Sequence, residues 1–385
     1  MDKNIILQNK EWIDGVWEKI DKKLSGVAVK SRGKIPYTTI DGVHDDKAKT
    51  DISWWTNGFW PGMMWLMYIG TGNEEYRKTA EITEEIMDAN FEAVEKLHHD
   101  VGFMWHIMSG ASYRITGNKK SRNRNLLAAA LLASRYNIDG KFIRAWNDDW
   151  YGKNVAGWSI IDCMMNIPLL YWASEEIGDT RFKKIAMSHA DMALKDHIRP
   201  DGSVNHIVEH DTDNGDFIRS YGGQGYDENS CWSRGLAWAV YGSVLSYKYT
   251  GENRYLNAAI KTADYFIANV CAYNYRTPVD FRAPLSPEYV DSTAGLCTAC
   301  GLLELSKYVS EAESRCYTAA AINILKATDS DFCDYELDDD ALVKMGTERY
   351  PLNGNLNGVH IPIIYGDFFL VEAMLKLKGE KFLIW

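Results

Sequence analysis

The chain has 385 residues, 46% of them hydrophobic and 25% charged, so it can bury a large core and is neither disordered nor fibrous. Lys and Arg number 42 against 53 Asp and Glu, a net charge of −11. Nucleic acid and anionic membrane surfaces both reward basic patches and are excluded as partners, while a small anionic ligand stays open if positive charge is supplied locally.

The opening decapeptide, Met1 to Lys10, has no apolar stretch of signal-peptide length. The most apolar run, Ile160 to Ala173, contains Asp162 and Asn166 and is too short to span a bilayer. Seven scattered cysteines are an odd number and point to reduced thiols in the cytoplasm. Cys297-Thr-Ala-Cys300 has redox or zinc spacing, but it lacks a second pair and sits in a small-residue apolar segment that reads as a core helix.

A weak punctuation signal recurs along the chain. It runs Ile69-Gly-Thr-Gly-Asn-Glu-Glu-Tyr76, Ile115-Thr-Gly-Asn-Lys-Lys-Ser121, Ile177-Gly-Asp-Thr-Arg-Phe182 and Thr250-Gly-Glu-Asn-Arg-Tyr255, with a degenerate fifth copy at Val309 to Tyr317. Each copy ends one apolar, helix-periodic segment and begins another: Gly supplies a left-handed cap, and Asn or Asp starts the next helix. Between Gly72, Gly117, Gly178 and Gly251 the gaps are 45, 61 and 73 residues, which suits repeated helical hairpins. Six hairpins of about 64 residues would use the whole chain, and closing them into a ring leaves no exposed ends. The expected fold is therefore all-α, a single (α/α)6 toroid over residues 1–385, with residues 1–50 forming the first helix and a loop leading into the ring.

Amphipathic segments such as Glu75 to Leu97 and Thr180 to Lys195 are expected on the outside. Apolar, aromatic ones such as Ser159 to Ser174 and Trp232 to Tyr247 are expected inside. Strand-like alternation is confined to Ser203 to Val208 and Pro278 to Phe281. The loops that enter the inner helices should converge on one mouth.

Several residues there can carry chemistry. Asp162 lies among Ile, Met and Cys, and a desolvated carboxyl has a raised pKa that suits a general acid; the plain alternative is a helix N-cap. His98-His99-Asp100 precedes a glycine and an aromatic helix; here too an N-cap Asp with exposed histidines is the alternative, and adjacent His side chains are expected to diverge too far for a metal. His206-Ile-Val-Glu-His210 has zinc-like spacing in a strand-like context that does not gather the rings on a helix face. The densest segment runs from Gly222 through Gln224 to Trp232, Arg234 and Trp238. Arg at a helix start can fork a carboxylate, and flat aromatic faces suit sugar rings; the alternative is an Arg paired with a structural Asp among core tryptophans. Trp54-Trp55-Thr-Asn57-Gly-Phe-Trp60 is a second aromatic loop. Nucleophile-elbow, phosphate-loop and dinucleotide motifs are absent, which leaves carboxylates, histidines and aromatics, a set suited to carbohydrate chemistry.

In these segments the sequence resembles the unsaturated glucuronyl hydrolases, glycoside hydrolase family 88. The matching stretches are Trp55 to Trp60, His98 to Phe103, Ile160 to Cys163, the Gln224 loop, Trp232 to Trp238, Asp291 to Ala294, Thr298 to Glu304 and Gly366-Asp-Phe-Phe, in family order over roughly residues 50 to 377. The resemblance implies an (α/α)6 barrel with Asp162 as general acid/base and Asp100 as a second essential carboxylate. It also implies that Trp55, His99, His206, Gln224, Trp232, Arg234 and Trp238 contact an unsaturated uronate. The implied reaction releases 4,5-unsaturated glucuronic acid from the non-reducing end of lyase-generated oligosaccharides by hydrating the enol ether, with no cofactor and no metal. Asn57 stands where a relative carries Asp, and residues 353–365 lack the Ser/Lys cluster of members that act on sulfated substrates. The alternatives are an unsaturated rhamnogalacturonyl hydrolase, a sugar 2-epimerase and a non-catalytic carbohydrate-binding protein. Oligomeric state is left open.

Overall fold

The structure, a computed structural model, describes residues 1–148, 152–382 and 384–385. Among the described residues, twelve principal helices alternate between an outer and an inner position. The outer set is α1 (Lys10–Lys30), α3 (Glu74–Ile86), α5 (Lys119–Ser134), α7 (Thr180–Met192), α9 (Asn253–Val270) and α11 (Glu311–Asp331). The inner set is α2 (Phe59–Thr71), α4 (Gly102–Gly110, continued by Ala111–Thr116), α6 (Pro168–Ile177, preceded by the single turn Cys163–Asn166), α8 (Ser233–Thr250), α10 (Ser292–Leu305) and α12 (Ile364–Leu377). Each inner helix packs on the next, and α12 returns to α2, so the inner ring closes; α1 covers α12 from outside. This is the (α/α)6 toroid expected from the repeats.

The repeat glycines do what their positions predict. Gly72, Gly117, Gly178 and Gly251 end inner helices with φ of 69°, 75°, 69° and 72°, a region in which a Cβ is strained. Asn73, Asn118 and Asp179 then cap α3, α5 and α7 through their side chains, whereas Glu252 makes no such bond. The degenerate fifth copy lacks the glycine and uses a capping box, Ser310 with Glu313.

Four element boundaries differ from the reading of the sequence. The outer segment from Glu75 leaves the α-helix at Ile86 and continues as short 3₁₀ turns. The segment from Thr180 ends its α-helix at Met192 and finishes in a wider π turn. The N-terminal 50 residues hold two helices, Lys3–Gln8 and α1, together with a small hairpin of Thr39–Ile40 and Val43–His44. Ser159 and Ile160 are not helical. They belong to β1 (Trp158–Ile160), which pairs antiparallel with β2 (Ile207–His210), which in turn pairs with β3 (Phe217–Tyr221). The β-branched and aromatic residues of β1 find partners nearly fifty residues away, and the helix can begin only after Asp162.

Aromatic rings fill the axis. Phe103 lies 5.5 Å from Trp55, 5.2 Å from Trp238 and 6.0 Å from Trp385, centroid to centroid. Trp385 stacks on Phe369 at an interplanar angle of 7° and donates its Nε1–H to Glu372 Oε2 at 3.0 Å. Glu372 pairs with the buried Lys376 at 3.1 Å. Cys297 and Cys300 lie fully buried within α10, as a core helix requires, and all seven cysteines are unpaired. No described helix is long and apolar enough to cross a membrane.

Candidate active site

The loops before the inner helices meet at one end of the ring around a cavity of about 330 Å³. Of the nine residues singled out in the sequence, Trp55, Asp100, Asp162, His206, Gln224, Trp232 and Arg234 line it. His99 and Trp238 do not. His99 is fully buried behind Asp100, and Trp238 is fully buried against Phe103, Tyr365 and Phe369.

Asp162 stands at the N-cap position of the Cys163–Asn166 turn, yet its side chain makes no capping bond. The carboxyl instead faces the cavity, 8% exposed, and Oδ2 has no hydrogen-bond partner among the described residues. Burial pushes its pKa up to about 8, and the negative charge of Asp100 adds to the rise, while Arg234 opposes it. At neutral pH this carboxyl carries a proton. Asp100 behaves in the opposite way. Burial opposes its charge too, but His99 and His98 more than offset that and hold its carboxyl far below the usual carboxylate range. Two buried acids thus hold different protonation states in one cavity, the pattern of an acid beside a fixed carboxylate.

Asn166 joins the two. Its Nδ2 donates to Asp100 Oδ1 at 3.0 Å and to the Asp162 carbonyl at 3.2 Å, and its Oδ1 accepts the Phe103 N–H at 2.8 Å. The backbone of α4 must come very close for this. A Cβ on Gly102 would stand 2.5 Å from Asn166 Cα.

His98 Nδ1 and His99 Nε2 lie 3.3 and 3.4 Å from Asp100 Oδ2, and neither ring is exposed as an N-cap arrangement would leave it. The adjacent rings also do not diverge as expected. Donor atoms of His98, His99 and Asp100 lie within 4.8 Å of one another, so these three are the described residues that could hold a metal. His206 and His210 go separate ways: His206 Nε2 faces Asp162 Oδ2 at 3.6 Å, and His210 Nε2 pairs with Asp196 Oδ2 at 3.0 Å.

Burial pushes the His206 imidazole down to about 3, with His197 and Arg234 adding to the fall, so the ring is neutral. Its Nδ1 accepts the Gln224 N–H at 3.0 Å. The ring proton therefore sits on Nε2, directed at Asp162. The turn that delivers this amide needs glycine: Gly223 has φ of +62°, and a Cβ there would lie 2.0 Å from His206 Nδ1.

Arg234 is 1% exposed and opens α8. Its Nη1 donates to Asp291 Oδ2 at 2.5 Å and to the Thr347 carbonyl at 2.6 Å, and its Nη2 donates to the Glu348 carbonyl at 2.6 Å. The pairing with a buried Asp foreseen as the structural alternative is therefore real, although the residue also lines the cavity. Its Nε–H has no partner among the described residues, and its guanidinium lies 4.6 Å from the Trp232 ring and 5.4 Å from that of Tyr365. Burial pulls its pKa down, but Asp291, Tyr365, Tyr37 and Asp162 together more than offset this and raise it, so the charge is permanent.

Asn57 is fully buried and donates Nδ2 to the Ile52 carbonyl at 2.8 Å and to that of Asp51 at 3.3 Å. An Asp there could not donate, which gives this departure a local role in the Trp54–Trp55 loop. Tyr37, Trp146, Lys153, Trp158, Tyr221, Glu348, Arg349 and Tyr365 also line it and were not singled out in the sequence. All but Tyr365 sit in loops and strand ends without a motif; Tyr365, in the first turn of α12, lay beside the Gly366-Asp-Phe-Phe stretch.

No family model matches the chain. The chain is 34% identical over 331 residues to the unsaturated glucuronyl hydrolase of Bacillus sp. (strain GL1), covering 84% of this chain and 86% of that one. It is 31% identical over 341 residues to the unsaturated chondroitin disaccharide hydrolase of Streptococcus pyogenes serotype M1, covering 86% and 82%. The crystal structure of the unsaturated glucuronyl hydrolase of Bacillus sp. GL1 superposes with a TM-score of 0.86 at 31% identity, over 94% of this chain and 97% of that one. With this ring, this cavity and relatives of that similarity along most of its length, the chain belongs to the unsaturated glucuronyl hydrolase family.

Proposed function

We propose that the protein acts as one catalytic domain that releases 4,5-unsaturated glucuronic acid from the non-reducing end of lyase-generated oligosaccharides by adding water across the enol ether. The observation that carries this reading is the Asp162 carboxyl, buried, uncapped and protonated at neutral pH, beside the neutral Nε2–H of His206. The names of the relatives, which act on unsaturated glucuronyl and chondroitin disaccharide substrates, support the same class.

In this scheme Asp162 gives its proton to C4 and the C4–C5 π electrons form the new C–H bond. Positive charge then develops at C5 and the ring oxygen. Water adds at C5 and loses a proton to the Asp162 carboxylate, which restores the acid. The resulting hemiketal opens and frees the remaining sugar. His206 Nε2–H steadies Asp162 in its ionised interval, and Asp100 favours the protonated resting form by like-charge proximity. Arg234 attracts the substrate carboxylate, Nε–H being its uncommitted donor. Trp55 and Trp232 offer faces to the sugar ring. His99 and Trp238 act from behind, through Asp100 and through the aromatic axis.

The seven unpaired thiols support a cytoplasmic setting. The test is to supply an unsaturated glucuronyl disaccharide and follow the ultraviolet band of its enol ether. Loss of the band with release of the second sugar is expected. A band that persists across several lyase products overturns the reading.

A further inference from the structure

Asp100 divides its two oxygens. Oδ1 accepts the Asn166 Nδ2–H at 3.0 Å, whereas Oδ2 faces two imidazoles, His98 Nδ1 at 3.3 Å and His99 Nε2 at 3.4 Å. Among the described residues these three form the group of metal-ligating side chains whose donor atoms all lie within 4.8 Å of one another. Their backbone is tied down on both sides. The His99 N–H donates to the Ala145 carbonyl at 3.2 Å, and α4 begins two residues after Asp100. The three donors are therefore held in place before any ligand arrives.

His99 supplies an independent observation. Its ring is fully buried and neither nitrogen makes a hydrogen bond among the described residues, although Nε2 faces Asp100 Oδ2. A buried imidazole nitrogen that meets nothing is costly, so a ligand for it has something to gain. The separations also suit a metal. Both are longer than a good N–H···O bond, about 2.7–3.2 Å. Both match the edge of a tetrahedron whose ligands stand about 2.05 Å from its centre, an edge of about 3.3 Å. Two imidazole nitrogens and one carboxylate oxygen are the donor set of a zinc site that keeps one position open.

We infer that His98, His99 and Asp100 form a binding site for Zn²⁺ or a divalent cation of its class, and that the bound cation inhibits the enzyme. Asp100 lines the cavity, so the ion enters by the mouth that admits substrate, and water takes its fourth position. Once bound, it cancels the carboxylate charge beside Asp162 and takes up cavity wall that the sugar needs. Magnesium, which favours six oxygen ligands, fits this donor set poorly. The inhibition rests on the hydrolase reading above; the binding does not.

The test titrates EDTA-treated protein with Co²⁺, read by visible absorption, and with Zn²⁺, read by turnover of an unsaturated glucuronyl disaccharide. One equivalent of Co²⁺ is expected to give the bands of four-coordinate cobalt without a thiolate charge-transfer band, and Zn²⁺ should displace it. Saturating Zn²⁺ is expected to lower turnover about tenfold or more, EDTA to restore it, and Mg²⁺ to do neither. His98→Gln and His99→Gln should each weaken cobalt binding about tenfold or more, whatever they do to turnover. Asp100→Asn offers the same comparison if a histidine variant does not fold. No saturable cobalt spectrum in the parent, or a spectrum that the double histidine variant keeps, overturns the site. Zinc that binds there without slowing turnover overturns the inhibition. Absence of turnover even in EDTA-treated protein overturns the hydrolase reading alone, and the cobalt titration still decides the site.

Discussion

His206 Nε2 lies 3.6 Å from Asp162 Oδ2, and the other nitrogen of the same ring accepts the Gln224 amide at 3.0 Å. A backbone N–H thereby fixes which tautomer faces the acid. Among the described residues a neutral donor stands beside Asp162 on this side, so the carboxyl can lose and regain a proton next to a ring that does not compete for it. The gap is wider than a hydrogen bond, which leaves the acid proton free to be directed at a substrate.

The protonation of Asp162 sets the pH profile. Its pKa of about 8 means that the acid form persists through neutrality and is lost as pH rises through that value. The kcat/KM profile is expected to fall on its alkaline limb near pH 8. Asp162→Asn should lose activity by roughly 10²–10⁴-fold while keeping its circular dichroism. Near-parental turnover by this variant would move the acid to another residue.

The same substitution should stabilise the fold. The carboxyl titrates near 3.8 when unfolded and near 8 when folded, so the folded state binds the extra proton and stability declines as pH climbs from about 4 to about 8. Asn escapes this decline. The melting temperature of Asp162→Asn is expected to exceed the parent's increasingly over that interval and to match it below pH 4. A constant offset at all pH values would contradict the assignment.

Gly223→Ala is a probe of the tautomer lock. A left-handed φ disfavours the methyl group by about 1–2 kcal/mol, and the methyl group would also meet the His206 ring. Displacing the Gln224 amide should reduce kcat by roughly ten- to a hundredfold, with a smaller change in melting temperature because the turn is exposed. Unchanged kcat would show that the amide contact is dispensable.

Asn166→Ala removes three hydrogen bonds at once, leaving the Phe103 N–H and Asp100 without their partner. A loss of about 2–3 kcal/mol in unfolding free energy is expected from urea titration. Activity should fall beyond what the lost stability explains, because Asp100 and Asp162 share this residue.

Arg234→Met leaves Asp291 charged and buried, with an expected cost of about 3–5 kcal/mol. Adding Asp291→Leu should recover part of that loss, since a buried pair and its apolar replacement are closer in energy than a broken pair. Denaturation midpoints of the two single variants and the double variant check this coupling.

The ring was legible because its signals are local. Gly72, Gly117, Gly178 and Gly251 announce helix ends by a conformation that only glycine adopts freely, and the neighbouring Asn and Asp residues announce the next starts. The strand at Trp158–Ile160 was hidden because its partners at residues 207–209 lie far along the chain, and β-branched apolar residues fit a buried helix equally well. The Gly102–Gly110 stretch of α4, which winds as a π-helix, likewise has no pattern in single residues. Within the site, Asp162 stood out as a carboxyl in apolar company. Lys153 and Arg349 did not, because a cation in a loop acquires meaning only when folding turns it toward a cavity. The resemblance implies a substrate contact for Trp238, but six residues along a helix from Trp232 place it on the packed axis.

That packed axis has a kinetic consequence. With Trp385 and Phe369 stacked across the centre of the ring, the toroid is a blind well and not a tunnel. A saccharide chain cannot thread through it, so only a terminus reaches Asp162, and both products must retreat through the opening by which the substrate came. Each turnover then ends in complete dissociation, and because a chain carries a single unsaturated end, every chain in a mixture of lengths should yield one equivalent of released sugar and no more.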